Sequence, residues 1–398
     1  MTIALENANT AACTAALLPV YRSFEPVLVG GSGVRVVDDT GREYIDFASG
    51  IGVNAFGYGD EGISAAIHAA LETGLIHTSN LFRTGPAGAL ADQLVAHSFA
   101  DRVFFCNSGG EANEGAFKFA RRYGREHGGA AKHEIVALKS SFHGRLFGSL
   151  AATWREAFRA PFEPLTPGVS FVAPEDEAAL RAAVSRDRTA AIIAEPVQGE
   201  GGVNPLSTEY LRLLRSVADD ADALLIFDEV QCGLGRTGRL FAHEHAGVTP
   251  DIMTLAKPLA GGLPMGAILL NDRAAAPIQP GDHATTFGGG PLVAAVAQHV
   301  VGRIADPAFL AEVARKGDLL AGQLAQLAQL PRVKQVRGIG LMWGVELNEE
   351  AAPVVARLLS EGMITTVAGP NVVRLLPPLV IGDADIHLAA AMLHEALQ

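Results

Sequence analysis

Six short apolar runs punctuate the first two-thirds of the chain, at 103–106, 134–138, 170–172, 190–194, 223–227 and 252–255. None alternates apolar with polar positions, as a strand with one wet face would. Continuous runs of this length suit strands buried on both faces of a mainly parallel sheet covered by helices. Helical spacing fills the intervals, as over 112–123 and over 208–219, where Thr208 and Glu209 form a helix start. Near the N-terminus, apolar segments at 34–37 and 44–47 flank Asp38, Asp39 and Gly41, which predicts a short hairpin. The last hundred residues read differently: helices around 309–329 and 351–361, short strands at 344–347 and 372–375, then an amphipathic end. The pattern predicts an α/β protein with a large domain built on a mostly parallel sheet and a smaller α+β domain. The expected division is 1–58 (an N-terminal arm and part of the small domain), 59–290 (the large domain) and 291–398 (the rest of the small domain).

Length and composition agree with this picture: 398 residues exceed one compact core, and 49% hydrophobic against 19% charged residues allow extensive burial. The net charge of −12 disfavours a nucleic-acid or anionic-membrane partner but leaves room for a small anion held by local arginines. Cys13, Cys106 and Cys232 lie far apart without ligand spacing, so no metal and no disulfide framework is expected. The first twenty residues hold no Lys or Arg, unlike a secretory leader, and no apolar run is long enough to span a bilayer; a cytoplasmic protein is the expectation.

The candidate chemistry sits at strand ends. The run at 223–227 ends in Asp228 and Glu229, placing carboxylates at the carboxyl edge of the sheet, where open α/β sheets bind ligands. The run at 252–255 ends in Ala256, Lys257 and Pro258, with Gly261 and Gly262 following, so Lys257 is displayed on a tight loop. Partial burial there lowers an amine's pKa and makes it a nucleophile toward an aldehyde. The run at 103–106 leads into Asn107, Ser108, Gly109 and Gly110 before a helix, whose free N–H groups and dipole suit a phosphate. Taken singly, each has an ordinary reading: a turn starter, a surface lysine, a common strand–helix turn. Together they suit a cofactor with a phosphate, a pyridine nitrogen and an aldehyde. Asp228 would keep the nitrogen protonated, Lys257 would bond the aldehyde and move protons, and Ser108, Gly109 and Gly110 would hold the phosphate. Gly233, Gly235 and Gly238 match GxGxxG, but five residues separate the strand end from the first Gly and no long helix pattern follows, which disfavours a dinucleotide site.

These residues resemble the class III aminotransferases, pyridoxal-phosphate (PLP) enzymes of fold type I with a seven-stranded sheet. The resemblance spans about residue 18 to the C-terminus. It rests on Asn107-Ser-Gly-Gly-Glu-Ala-Asn-Glu114, Ser141-Phe-His-Gly-Arg145, Glu195-Pro-Val-Gln-Gly-Glu-Gly-Gly202, Asp228-Glu-Val-Gln231, Leu255-Ala-Lys257 and Thr285-Thr-Phe-Gly-Gly289. Within the family the chain is most similar to the acetylornithine aminotransferases, notably at His77-Thr-Ser-Asn80 and Ala368-Gly-Pro-Asn-Val-Val-Arg374.

The resemblance implies that Phe142 stacks on the pyridine ring, Val230 packs on its other face and Gln231 bonds the phenolic oxygen. It implies that Thr286 reaches the phosphate of a neighbouring subunit's cofactor, in a homodimer with sites at the interface. Arg145 and Arg374 would bind substrate carboxylates, Glu200 would pair with Arg374 for donors lacking a carboxylate there, and Tyr21 and Thr285 would contact substrate. His143 receives no role. The implied reaction moves the terminal amine of an N-acylated diamino acid such as N2-acetylornithine to 2-oxoglutarate, in arginine biosynthesis. Lysine-type, succinylornithine, ornithine or 4-aminobutyrate donors stay open, as does a non-catalytic PLP-binding protein on this fold. Three places depart from the family: Gly110 stands where Thr is usual, Gly290 where Asn is usual, and Phe56-Gly-Tyr-Gly-Asp60 where Gly-His-x-His-Pro is usual.

Overall fold

The computed structural model describes residues 16–398; the segment 1–15 of the expected arm, with Cys13, lies outside the described residues. Strands β1 (Leu28–Ser32), β2 (Arg35–Asp38) and β3 (Glu43–Asp46) form an antiparallel meander. The last two are the predicted hairpin. The Asp38 carboxylate closes its turn, accepting from the N–H of Thr40 (2.9 Å) and of Arg42 (3.0 Å).

The central sheet holds β4 (Arg102–Cys106), β5 (Glu134–Leu138), β6 (Val169–Val172), β7 (Thr189–Ala194), β10 (Leu224–Asp228), β11 (Ile252–Leu255) and β12 (Gly266–Leu270), in the order β4-β12-β11-β10-β7-β5-β6. The five strands from β11 to β6 are parallel, whereas β12 runs antiparallel to both its neighbours. All six apolar runs fall in strands, to within a residue at their ends. The seventh strand, β12, was not among them. Numbered in chain order, the helices of ten or more residues are α1 (Glu61–Glu72), α2 (Gly85–Ala96), α3 (Gly109–Gly128), α4 (Thr208–Asp220), α5 (Pro291–Ile304), α6 (Pro307–Ala325), α7 (Ala352–Glu361) and α8 (Asp383–Leu397).

Burial on both faces explains the unbroken apolar runs. In β10, Leu224 and Ile226 pack with Ala116 and Ala120 of α3, while Leu225 and Phe227 pack with Leu211 and Leu214 of α4. Each face therefore needs an apolar side chain at every second position, and the two sets interleave into one run.

The C-terminal third builds another sheet, of β13 (Val333–Ile339), β14 (Met342–Leu347), β16 (Thr366–Ala368) and β17 (Val372–Leu375), ordered β13-β14-β17-β16. A two-residue strand, β15 (Met363–Ile364), pairs in parallel with β3, so segments from near both chain ends share a sheet. A small hairpin, β8 (Val197–Gln198) with β9 (Asn204–Pro205), projects from the end of β7. The GxGxxG run at 233–238 lies in turns, and its buried Arg236 donates from Nη1 to the carbonyls of Leu341 (3.0 Å) and Pro377 (2.5 Å). It ties the two sheets together. Among the described residues, no helix is long and apolar enough to cross a membrane.

Candidate active site

A cavity of about 710 Å³ opens over the carboxyl ends of β10 and β11 and the start of α3. Tyr21, Ser108, Gly109, Gly110, Phe142, Arg145, Glu200, Asp228, Val230, Gln231 and Lys257 all line it. Eleven positions named from sequence, spread over more than two hundred residues, thus converge on one space. The remaining three do not line it. Thr285 accepts from Asn107 Nδ2 (3.1 Å), and Thr286 beside it is exposed. Arg374 is 2% exposed, behind Glu200, whose carboxylate it meets at 2.9 Å.

Asp228 ends β10 and is buried. Its Oδ2 accepts from Asn113 Nδ2 and from His143 Nδ1, both at 2.7 Å, and its Oδ1 accepts from the Val230 N–H at 3.1 Å. Asn113, on α3, is itself oriented by Thr254 of β11, whose hydroxyl donates to Asn113 Oδ1 at 2.9 Å. Three elements therefore fix one carboxylate, leaving capacity on Oδ1 for a further donor in the cavity. Glu229, next in sequence, turns away to accept from the N–H groups of Ala242 and His243.

Lys257 follows β11 by two residues. Burial lowers its amine from the usual lysine range to about 8, Arg374 reinforces the shift, and Asp228, Glu195 and Glu200 oppose it. A neutral amine is then accessible near physiological pH.

Helix α3 begins at the cavity. Ser108 caps it, accepting from the Glu111 N–H at 3.2 Å, and the amides of the first turn face forward. Gly109 has no room for a side chain: a Cβ there would sit 2.7 Å from Val230 Cγ1. Gly110 does have room, with no neighbour closer than 3.7 Å.

Phe142 is held through its N–H, which donates to Glu195 Oε2 at 2.9 Å; Glu195 Oε1 accepts from the Gly199 N–H at 3.2 Å. Burial raises the Glu195 carboxyl to about 7 even though His143 and those two N–H groups lower it. Arg145 is exposed, its guanidinium over the Phe158 ring at 3.6 Å and the Phe142 ring at 5.6 Å.

Sequence reasoning passed over Asn113, His143, Glu195 and Thr254. Three of them, Asn113, His143 and Glu195, lie inside motifs already singled out, so their position was a signal; Asn113 and His143 meet at one carboxylate. That their target is Asp228 follows only from the packing of α3 against β10 and β11.

The cavity offers an anion-binding helix start, a fixed carboxylate and an amine of lowered pKa. Gln231 adds a buried Oε1 without a partner, beside the Gly199 backbone. These are the groups a phosphate-bearing pyridine aldehyde needs, and the residues present fit PLP.

The chain belongs to the class III aminotransferases: the family model "Aminotransferase class-III" matches residues 21–397. Its cofactor is PLP. The particular relatives are more specific. The mitochondrial acetylornithine aminotransferase of Alnus glutinosa is 48% identical over 96% of this chain and 85% of its own length. That of Methanocaldococcus jannaschii is 46% identical over 95% of each. Among solved structures, the N-acetylornithine aminotransferase of Stenotrophomonas maltophilia aligns with a TM-score of 0.82 at 37% identity over 94% of this chain and 96% of that one. The ornithine aminotransferase of Toxoplasma gondii aligns at 0.92 with 30% identity, over 98% and 94%.

Proposed function

We propose that this enzyme transfers the terminal amine of N2-acetylornithine to 2-oxoglutarate, a step of arginine biosynthesis, in two half-reactions at the one cavity. The observation that carries the reading is the Glu200–Arg374 pair at 2.9 Å, which masks a buried arginine from the cavity while Arg145 stays free at its rim. A donor with one carboxylate is met by Arg145; a dicarboxylate such as glutamate needs Arg374 too and must displace Glu200. The relatives' names support the choice of donor. An ornithine donor is the second reading, favoured by the high TM-score to an ornithine aminotransferase.

PLP supplies an aldehyde that bonds primary amines and a ring that draws electrons from the adjoining carbon. Asp228 Oδ1 would hold a proton on the pyridine nitrogen, since His143 and Asn113 occupy Oδ2 and fix the carboxylate's orientation. Ser108, Gly109 and Gly110 hold the phosphate at the start of α3. Phe142 and Val230 confine the ring, and Gln231 bonds its phenolic oxygen. Lys257 Nζ would take the proton from the donor's amine-bearing carbon and pass it to what was the cofactor's aldehyde carbon. Tyr21 and Thr285 contact the substrate.

Two copies are needed for a complete site. Thr286, exposed and not part of its own cavity's lining, reaches the phosphate in a partner subunit. The exposed side chains of Ile76, Leu81, Phe82 and Phe287 around it support burial there. We place the dimer in the cytoplasm, and we propose the division of the chain into 1–58 with 291–398 as one domain and 59–290 as the other.

Absorbance of the purified protein tests the reading. N2-acetylornithine should bleach the cofactor band and 2-oxoglutarate should restore it, with Lys257→Ala inert. Bleaching by ornithine at comparable kcat/KM would transfer the assignment to the second reading.

A further inference from the structure

Glu200 stands alone on a loop whose every other residue is tied down. The loop, 199–203, closes the β8–β9 hairpin. At its start the Gly199 N–H donates to Glu195, and Gln198 Nε2 donates to the Lys139 carbonyl at 2.8 Å. Gly201 packs so closely on Ser140 that a Cβ would lie 2.1 Å from its carbonyl oxygen, and the Gly201 carbonyl accepts from Asn204 Nδ2 at 3.0 Å. At its end Arg337 donates to two successive carbonyls, Gly202 (Nε 3.0 Å, Nη2 2.7 Å) and Val203 (Nε 3.1 Å). Val203 is β-branched yet held at φ 54°, a left-handed backbone that neighbours must impose. Glu200 itself makes one ion pair, to Arg374, and is 33% exposed.

The two arginines are linked by register. Arg337 on β13 faces Gly344 on β14, which faces Arg374 on β17, which faces Thr366 on β16. Residues directly opposed across a sheet share a face, so one rung presents Arg337 to the end of the loop and Arg374 to its Glu200. Thr366 accepts from Arg374 Nε at 3.2 Å. The glycine between them leaves the space the loop occupies: a Cβ on Gly344 would lie 3.1 Å from Val203 Cβ and 3.2 Å from the Gly202 oxygen. Glu346, ion-paired to Arg337 from β14, aims the guanidinium.

We infer that Arg337 is a positioning residue for donor selection: it clamps loop 199–203 to the rung that carries Arg374, so that Glu200 opens by side-chain rotation while the loop stays still. This rests on the gate reading of Glu200 given above. With the clamp removed, Glu200 is held opposite Arg374 less firmly, Arg374 is freer, and dicarboxylate donors gain over monocarboxylate ones.

The test compares wild type, Arg337→Met, Arg337→Lys, Glu200→Gln and the Arg337→Met/Glu200→Gln double variant in the PLP-loaded enzyme. One readout is the ratio of kcat/KM for glutamate to that for N2-acetylornithine, each from single-donor bleaching of the cofactor band. The other is hydrogen exchange over 199–205. Arg337→Met should raise the ratio about five- to tenfold, the change expected on losing the net contribution of one ordinary hydrogen bond, and speed exchange in the loop. Arg337→Lys should fall between it and wild type, and in the Glu200→Gln background Arg337→Met should move the ratio no further. A lower melting temperature with the ratio unmoved would reduce Arg337 to a fold residue. An undiminished shift in the Glu200→Gln background would overturn the route through Glu200. If Glu200→Gln alone left the ratio at its wild-type value, the gate reading would fall instead, and unchanged loop exchange in Arg337→Met would then dispose of the clamp separately.

Discussion

Lys257 is the residue most changed by its surroundings. An ordinary lysine amine titrates near 10.5; here burial and Arg374 bring it to about 8. In the apo-protein between those values the folded chain holds one proton fewer than the unfolded one, so this group's contribution to stability grows as pH rises through that window. Below 8 the folded state buries a cation. PLP uptake by apo-protein, followed by absorbance, should rise about tenfold per pH unit and level off near 8. A rate still climbing at pH 10 would mean the amine is not depressed. The neighbouring glycines make a sharper comparison. Gly109→Ala drives a methyl into Val230 and should weaken PLP binding, whereas Gly110→Thr fits and adds a hydroxyl to the cradle, worth about 1 kcal/mol or some fivefold in Kd. Equal weakening by both in equilibrium titrations would contradict the cradle geometry.

Elements position these residues, and sequence revealed elements unevenly. Strands β5, β7, β10 and β11 were legible because both faces are buried and their runs are unbroken. Strand β12, Gly266-Ala-Ile-Leu-Leu270, follows the Gly-rich loop after Lys257 and opens on a further glycine, and it was not singled out as an apolar run. Strand β1 is exposed along its length and carries two glycines, so no apolar pattern marks it. The site shows the same limit. Asp228 and Lys257 were visible as polar residues ending apolar runs, but the chain from Thr254 through Asn113 to Asp228 joins positions 141 and 115 residues apart. Nothing local announces it. Thr254→Val keeps the shape and leaves Asn113 Oδ1 buried without its donor. Denaturant melts should show a loss of about 1–3 kcal/mol, and the variant should bind PLP more weakly because Asn113 no longer steadies Asp228. Unchanged binding with the stability loss would confine Thr254 to folding.

At the scale of the molecule, one group of exposed apolar side chains lies beside Thr285 and Thr286: Leu81 is 90% exposed, Phe82 72% and Phe287 66%, with the His77 ring 5.2 Å from that of Phe287. In the proposed dimer they are covered. A Leu81→Glu/Phe82→Glu variant should sediment as a monomer at concentrations where wild type is a dimer, and lose activity although no residue of its own cavity has changed. A monomeric variant with full activity would free Thr286 from any role in a partner's site.

The order β4-β12-β11-β10-β7-β5-β6 has a consequence for the chain's synthesis. Strand β4, which feeds the start of α3, pairs in the central sheet only with β12, about 160 residues later in the chain. A ribosome-bound chain that has emerged as far as residue 260 already carries Asp228 and Lys257, yet its β4 has no strand to pair with. The helix start that would grip an anion is then held by the packing of α3 on β7, β10 and β11, while the strand leading into it stays unpaired until residue 270 is released. The anion grip is therefore expected to firm only when β12 has paired with β4, after the lysine is already on display.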